Sequence, residues 1–497
     1  MLKLVLGTSG SGKTTLLYAR IRARAEAGKR SILLVPEQFT SSTEARIYRE
    51  LGDALSGMVE SYSFTSLAEH ILAALGGAAV QTLTDAGRAV LVRRALEELQ
   101  DNVHYYYRHR RSAAFCQMAA ETIDELKSAG LSGQQLQELA RDCGTESAKL
   151  GELALIFQGY ESLLAGTGMD PADRLELAAD RLEAALARDE LPDFLREREV
   201  FIDEFDTFNA PKKRLMGAML AALPAVTVAL CEDGAPMQPG DLELFSGAKQ
   251  VAAQLRQLAR KNGAQVAAPE LLRRDLRHKD APGLAALTEL LETGSCTPPE
   301  SAPELRLFAA ASREEEARCA AAAIRRLMRQ GVRCGKIAVV CRDISLYRAA
   351  VRYEFRMAEI PLYCDEPTTP EFSAPATAVR ALLALLRGAD MTEQLTVLAK
   401  TGLCDLTEPE VCALENYAYT WSPNAAAWRA EFTKSPRGFG DAELTEEDTQ
   451  NLTRAENARK KLVTAVDTLR SKVRSANAEQ ISRALYFCLK ELGAEGQ

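Results

Sequence analysis

The sequence predicts an α/β fold with two units of parallel sheet and large helical regions between and after them. An apolar run over Leu2–Leu6 leads into a glycine-rich loop and then a helix, the element order that opens a parallel sheet. A second strand–helix–strand pattern begins near residue 305. Elsewhere apolar residues recur at three- and four-residue spacing in an alanine- and leucine-rich background, which predicts helices.

Length and composition narrow the class of protein. A prior of about 150 residues per domain predicts three or four units in the 497-residue chain. No run approaches the roughly 18 apolar residues that span a bilayer, and the first strand begins at Leu2, so we expect a cytoplasmic protein without membrane contact. The eleven cysteines stand singly, which argues against zinc and disulfides. A net charge of −8 disfavours non-specific coating of nucleic acid but allows a local basic channel.

The glycine-rich loop is a complete G-x-x-x-x-G-K-[ST] phosphate loop. Its glycines let backbone N–H groups turn toward a β-phosphate, Lys13 reaches the β and γ oxygens, and the Thr14 hydroxyl is placed to bind Mg²⁺. The following helix directs its positive dipole end at the same anion. We therefore predict an ATP and Mg²⁺ site whose nucleotide contacts come from Gly7, Thr8, Ser9, Gly10, Ser11, Gly12, Lys13, Thr14 and Thr15.

A second nucleotide motif is predicted where a strand-like run over residues 199–202 ends in Asp203-Glu204. Such a strand carries an aspartate to the metal, and the glutamate after it can polarise the attacking water. We therefore predict Asp203 as a metal-binding residue and Glu204 as a catalytic base. The first α/β unit then comprises residues 1–80 and 196–295, interrupted by a helical insertion over 81–195.

A proline-containing stretch near residues 297–303 marks the next boundary. Beyond it we predict the start of a second α/β unit over 300–385, with strands at 305–309 and 336–341, the latter followed by Arg342. Residues 386–497 are predicted to be a truncated helical domain.

These two units resemble the RecA-like motor domains of superfamily 1 helicases, in which ATP lies between the domains. Ser63–Leu67 is similar to the T-F-H-S-L segment that lies along DNA, and Asp203-Glu204-Phe205 matches the D-E-F motif. Ile337–Arg342 resembles the motif whose arginine reaches the γ-phosphate. The resemblance implies DNA contacts from Ser63, Thr65 and Ser66 and a catalytic role for Arg342.

The chain departs from that pattern at the residues that couple nucleotide to DNA. Six residues precede Gly7, which leaves no place for the adenine-reading glutamine. Asp206 replaces the glutamine after D-E-F, and residues 226–233 lack G-D-x-x-Q. The departures imply intact phosphate binding with degraded coupling.

Matches over most of the chain make it similar to the AddB family, one of the two subunits of bacterial AddAB (RexAB) helicase–nucleases. They include Leu34–Thr40, Asp85–Arg88, Asp124–Lys127, Ser312–Glu316 and Leu414–Trp421. The resemblance implies a heterodimer with an AddA-type motor subunit on DNA, at a duplex end and a single-stranded 3′ tail. It places the nuclease domain and its iron–sulfur cluster in a C-terminal region absent here, so we expect no nuclease activity from this chain.

The function favoured by these features is an ATP- and DNA-binding, helicase-like subunit of a complex that processes double-strand breaks for homologous recombination. It would scan the 3′ strand for Chi instead of acting as the motor. One alternative is an active ATP-dependent helicase or translocase, which DNA-stimulated nucleotide turnover would favour. Another is a small-molecule kinase with the helical insertion as its lid, which phosphorylation of a metabolite would favour.

Overall fold

A computed structural model describes residues 1–77, 82–236, 244–364, 372–440 and 443–496. The chain divides into two compact units, Met1–Leu307 and Phe308–Gln497. Among the described residues, none of the helices combines the length and apolar composition that a bilayer crossing requires. The domain boundary predicted between residues 80 and 81 lies outside the described residues.

The first unit contains a six-stranded, entirely parallel sheet with the order β3-β2-β4-β5-β1-β6. This confirms the predicted α/β class with a parallel sheet. The strands are β1 (Leu2–Gly7), β2 (Ser31–Leu34), β3 (Val59–Tyr62), β4 (Glu199–Ile202), β5 (Ala225–Cys231) and β6 (Glu270–Leu272).

Helices cover both faces of this sheet. Side chains of a strand alternate between its faces, so Leu4 and Leu6 join one apolar cluster and Val5 joins another. The helices of the first unit are α1 (Lys13–Glu26), α2 (Thr40–Leu51), α3 (Asp53–Ser56), α4 (Phe64–Leu75), α5 (Asp85–Glu98), α6 (Ala113–Ser128), α7 (Gly133–Ala140), α8 (Ser147–Leu164), α9 (Asp173–Ala187), α10 (Ala210–Ala222), α11 (Ser246–Lys261) and α12 (Pro282–Thr293).

The helices predicted between β3 and β4 are present and fall into two groups. Helices α5 to α8 share an apolar cluster of their own, which includes Val92, Ile123 and Phe157. Helix α9 instead buries Ala178 and Leu182 in the cluster beneath the sheet. Between β3 and β4 the chain therefore forms a separate helical core from α5 to α8, and α9 packs against the sheet again.

A buried ionic cluster is formed by Arg88, Lys127, Asp170 and Asp173. Arg88 and Lys127 end two of the segments that resemble the AddB family, Asp85–Arg88 and Asp124–Lys127. Lys127 Nζ lies 2.7 Å from Asp173 Oδ2 and 3.4 Å from Asp170 Oδ2, and Arg88 Nη1 lies 3.7 Å from Asp170 Oδ1. The Tyr160 hydroxyl donates to Asp170 at 2.7 Å. Burial raises the pKa of Asp173, and Lys127 opposes that shift. The cluster joins α5, α6 and the start of α9.

The second unit contains helices and no strand among its described residues. Its helices are α13 (Arg313–Arg329), α14 (Ile344–Met357), α15 (Ala374–Leu386), α16 (Met391–Ala399), α17 (Glu408–Trp421), α18 (Ala425–Arg429), α19 (Glu446–Lys472) and α20 (Ala478–Leu492). Trp428 is fully buried at the centre of the α15–α20 core, where its indole N–H donates to Thr392 Oγ1 at 2.9 Å.

The two strands predicted in this unit are wrong for the structure described. Residues 305–309 and 336–341 carry no strand, and Leu307 and Val340 are 99% and 90% exposed. A strand exists only by pairing with a neighbour, and an apolar run does not encode which neighbour is present. A second RecA-like domain is therefore not confirmed by the described residues.

We predict that Lys127→Ala destabilises the first unit by about 1–3 kcal/mol, because Asp173 loses its hydrogen-bonded cation while Asp170 keeps Arg88 and the Tyr160 hydroxyl. Urea unfolding followed by circular dichroism measures the change. Lys149→Ala on α8 is the matched control, since Lys149 forms a surface pair with Glu146 and its loss should cost less than about 0.5 kcal/mol. Equal effects of the two variants would contradict a structural role for the cluster.

Candidate functional site

The predicted phosphate loop connects β1 to α1. Gly10 and Gly12 have φ values of 81° and 92°, a left-handed conformation in which a side chain would be strained. Lys13 Nζ donates to the carbonyl oxygens of Gly7 at 2.7 Å and Thr8 at 2.8 Å, so the lysine lies across the loop. Helix α1 begins at Lys13, and its first N–H groups are free to bind an anion.

Asp203 meets the loop from the end of β4. Its backbone N–H donates to the Leu34 carbonyl at 3.1 Å, and its side chain accepts hydrogen bonds from Thr14 and from the Glu204 N–H. Asp203 is 5% exposed, and this burial raises the pKa of its carboxyl while Thr14 and Lys13 oppose the shift. The parallel sheet thus brings the two predicted metal-binding residues, Thr14 and Asp203, into contact.

This pair fits the chemistry of Mg²⁺ in a nucleotide site. Mg²⁺ takes one or two protein oxygens and completes its shell with water and substrate phosphate oxygens. A cage of three or more histidine, cysteine or acidic side chains is not found among the described residues. Thr14 and Asp203 would hold the ion, and the ion would neutralise charge on the phosphates.

Glu204 is held in an unusual backbone conformation beside the same loop. Its φ is +64°, which costs a residue with a side chain about 1–3 kcal/mol. Burial and the Asp203 carboxylate raise the pKa of Glu204, and Arg46 lowers it. The strained turn places the predicted base at the cavity.

The loop cavity has a volume of about 440 Å³. It is lined by Ser9, Gly10, Gly12, Lys13, Thr14, Thr15, Arg46, Glu204, Cys231, Leu276 and Arg277. No sequence motif singles out Arg46, Cys231 or Arg277. Cys231 ends β5, and Arg277 follows β6. Their positions at or after the ends of strands were the one feature that could have pointed to them, because these strand ends lie at the edge of the sheet that carries the loop.

A short segment after β6, here called the cover segment (Arg273–His278), is seated on the loop. The Leu276 N–H donates to the Gly10 carbonyl at 3.0 Å, and Arg277 Nη1 donates to Ser9 Oγ at 3.3 Å. The Asp275 carboxylate accepts from the N–H groups of Arg277 and His278 at 3.0 and 3.1 Å and holds the turn. The cover segment is thus fixed to the phosphate loop at two points.

The three residues predicted to contact DNA lie at the start of α4. Ser63 Oγ accepts from the Ser66 N–H at 3.1 Å, and the Ser63 N–H donates to Ser66 Oγ at 2.8 Å. This reciprocal pair is a capping box, so both hydroxyls stabilise the helix end. Thr65 is the exposed member of the three.

Thr65 borders a second cavity of about 520 Å³, here called the aromatic pocket, at the same edge of the sheet. The Phe64 and Phe205 ring centroids are 5.2 Å apart, and Lys212 Nζ lies 5.8 and 5.4 Å from them. Gln38 adds an amide. Phe64 is 2% exposed, so Phe205 is the ring of this pair that a base could reach, and Glu37 also lines the pocket. An accessible ring for stacking and a cation for phosphate are groups with which proteins bind single-stranded nucleic acid.

Arg342 lies in the second unit, apart in sequence from all of these residues. Its side chain is exposed and follows the unpaired segment 336–341. Its catalytic role stays a prediction.

Comparison with known proteins gives a matching family and several curated relatives. The family described as ADDB, N-terminal, matches residues 4–288. Relatives named as the B subunit of an ATP-dependent helicase/deoxyribonuclease match from Desulforudis audaxviator (30% identity, 100% of this chain, 44% of the relative) and Moorella thermoacetica (31%, 86%, 38%). The protein of that name from Clostridium perfringens is 27% identical over 94% of this chain and 41% of its own length. The chain thus spans about two fifths of the relatives it matches.

We predict that Lys13→Ala weakens Mg²⁺–ATP binding by at least about 30-fold, because a charge-assisted contact worth about 2–5 kcal/mol is lost. Titration calorimetry measures the affinity. Lys29→Ala, at an exposed position after α1, should bind as the parent chain does. Unchanged affinity in Lys13→Ala would place the nucleotide elsewhere.

Proposed function

The chain belongs to the ADDB, N-terminal, family, and from this premise we propose that it is an ATP- and DNA-binding, helicase-like part of a helicase–nuclease subunit. The observation that carries the proposal is the junction of two cavities at one edge of the sheet. Asp203 and Glu204 face the phosphate loop, and Phe205, the next residue, lines the aromatic pocket. The turn formed by residues 203–205 would therefore contact both ATP and DNA.

The proposed binding of ATP is supported by the residues that meet at the phosphate loop. Lys13, Thr14 and Asp203 are brought together from segments about 190 residues apart, and this combination of groups supports binding of Mg²⁺–ATP. The relatives are named ATP-dependent, which agrees with a nucleotide at this loop.

The DNA half is supported by the aromatic pocket. A base stacked on Phe205 would be flanked by the Lys212 ammonium and by Thr65 at the start of α4. Ser63 and Ser66 would act by fixing that helix end, since their hydroxyls bond to each other's backbone N–H. Thr65 would make the direct contact of the three.

We further propose that this unit reads the 3′ strand for Chi while an AddA-type partner drives movement along DNA. The departures at Asp206 and over residues 226–233, where coupling residues are expected, support a site that binds without stepping. The nuclease and iron–sulfur cluster would belong to the part of the relatives that this chain does not match. Break processing for recombination would be a property of that whole complex.

One observation favours the alternative of an active translocase. Glu204 lines the loop cavity next to Asp203, and this position supports a role as the base in hydrolysis. The kinase alternative gains no such support from the described residues.

Single-stranded DNA binding tests the proposal. We predict that Phe205→Ala weakens binding of a fluorescent oligonucleotide by about tenfold, because one stacked base is worth about 1–3 kcal/mol. Lys212→Ala should weaken it and also reduce the dependence of the affinity on salt, since one phosphate contact is lost.

Lys213→Ala is the matched control, because the neighbouring lysine lies outside the aromatic pocket. Fluorescence anisotropy over a series of salt concentrations gives both quantities. If Phe205→Ala and Lys213→Ala bind DNA equally well, the aromatic pocket is not the DNA site.

A further inference from the structure

Three cationic side chains from separate segments line the phosphate-loop cavity. Lys13 comes from the loop itself, Arg46 from α2 and Arg277 from the cover segment. The loop motif accounts for Lys13 alone. The two arginines therefore require a separate explanation.

Arg46 is held in place by an aromatic ring. Its guanidinium carbon lies 4.9 Å from the centroid of the Tyr18 ring on α1. Burial raises the pKa of Glu204, which lines the same cavity, and of the neighbouring Asp203, and the charge of Arg46 opposes that rise. A guanidinium stacked on a ring retains N–H donors at its edge, and these remain for an anion.

Arg277 is placed by its backbone. The Asp275 carboxylate fixes the Arg277 N–H, and the Leu276 N–H is bonded to Gly10, so the side chain is delivered to Ser9 at the mouth of the loop. Its contact with Ser9 Oγ is long, at 3.3 Å, and involves a neutral partner. A phosphate oxygen would make a stronger, charge-assisted bond with the same group.

The three cations share the cavity with Glu204, which lines it, and with the neighbouring Asp203. Burial lowers the pKa of Lys13, Asp203 opposes that shift, and Arg277 adds to it. Glu292 of α12, which bonds to Thr8, partly offsets this charge. A ligand that brings more negative charge into the cavity relieves more of the repulsion.

We propose that Arg46 and Arg277 form, with Lys13, a γ-phosphate site contained within the first unit, by which the chain distinguishes ATP from ADP. The inference rests on the proposed ATP binding and adds the residues that read the third phosphate. All three side chains precede Leu307, so this discrimination requires no residue of the second unit. A guanidinium stays charged at all physiological pH values and can grip two phosphate oxygens at once, as a lysine cannot.

Calorimetric titration of the full chain with Mg²⁺–ATP and with Mg²⁺–ADP tests the proposal. The parent chain should bind ATP more tightly than ADP. Arg46→Ala and Arg277→Ala should each reduce the ratio of the two affinities about tenfold, because one charged hydrogen bond is worth about 1.5–3 kcal/mol. The affinity for ADP should change less than about threefold in each variant, which is clearly smaller than the tenfold change expected in the ratio.

Arg49→Ala and Arg274→Ala are the matched controls. Arg49 lies one turn after Arg46 on the same helix, and Arg274 lies in the same cover segment, both exposed and outside the cavity. Both should keep the parent ratio of affinities, and circular dichroism should show parent-like helix content in all four variants. Arg277→Lys should recover part of the ratio.

The failure of this inference is separable from the failure of ATP binding. If ATP binding depends on Lys13 but both arginine variants keep the parent ratio, the γ-phosphate site is wrong and the nucleotide site stands. A parent chain with equal affinities for ATP and ADP overturns it too. If Lys13→Ala leaves ATP binding intact, the proposed function itself fails.

Discussion

The parallel pairing of the six strands is the constraint on which both cavities depend. Parallel strands bring all their carboxyl ends to one edge, so the loop after β1, Asp203 after β4 and the cover segment after β6 become neighbours. The register of β4 on β2 fixes the position of Asp203, because the Asp203 N–H donates to the Leu34 carbonyl and so continues the hydrogen bonding between these strands. Residues separated by a whole helical insertion are thus fixed within hydrogen-bond distance of each other.

The sheet edge combines backbone strain with three cations in one cavity. The backbone of Glu204 has a left-handed conformation, and Gly10 and Gly12 also have positive φ values. Lys13, Arg46 and Arg277 line the same cavity. Such backbone strain persists only in a rigid surrounding. The two apolar clusters on the faces of the sheet provide it.

Sequence reasoning recovered the parts of the site that short local patterns encode. The loop and the strand before Asp203 were predicted because a glycine spacing and an apolar run ending in acids each specify local geometry. Arg46 and Arg277 were not predicted, since one lies within an ordinary helix and the other after β6, which is three residues long and too short for periodicity. The strands predicted at 305–309 and 336–341 failed because pairing depends on partners that local sequence does not encode.

The proposed function requires that this chain bind ATP and DNA without using the nucleotide to move. The rate of ATP hydrolysis by the purified chain, with and without single-stranded DNA, tests this requirement, with Glu204→Gln as the control. A rate near background is expected under conditions where ATP is bound. A strong stimulation by DNA that disappears in Glu204→Gln would contradict the requirement and would identify an active motor.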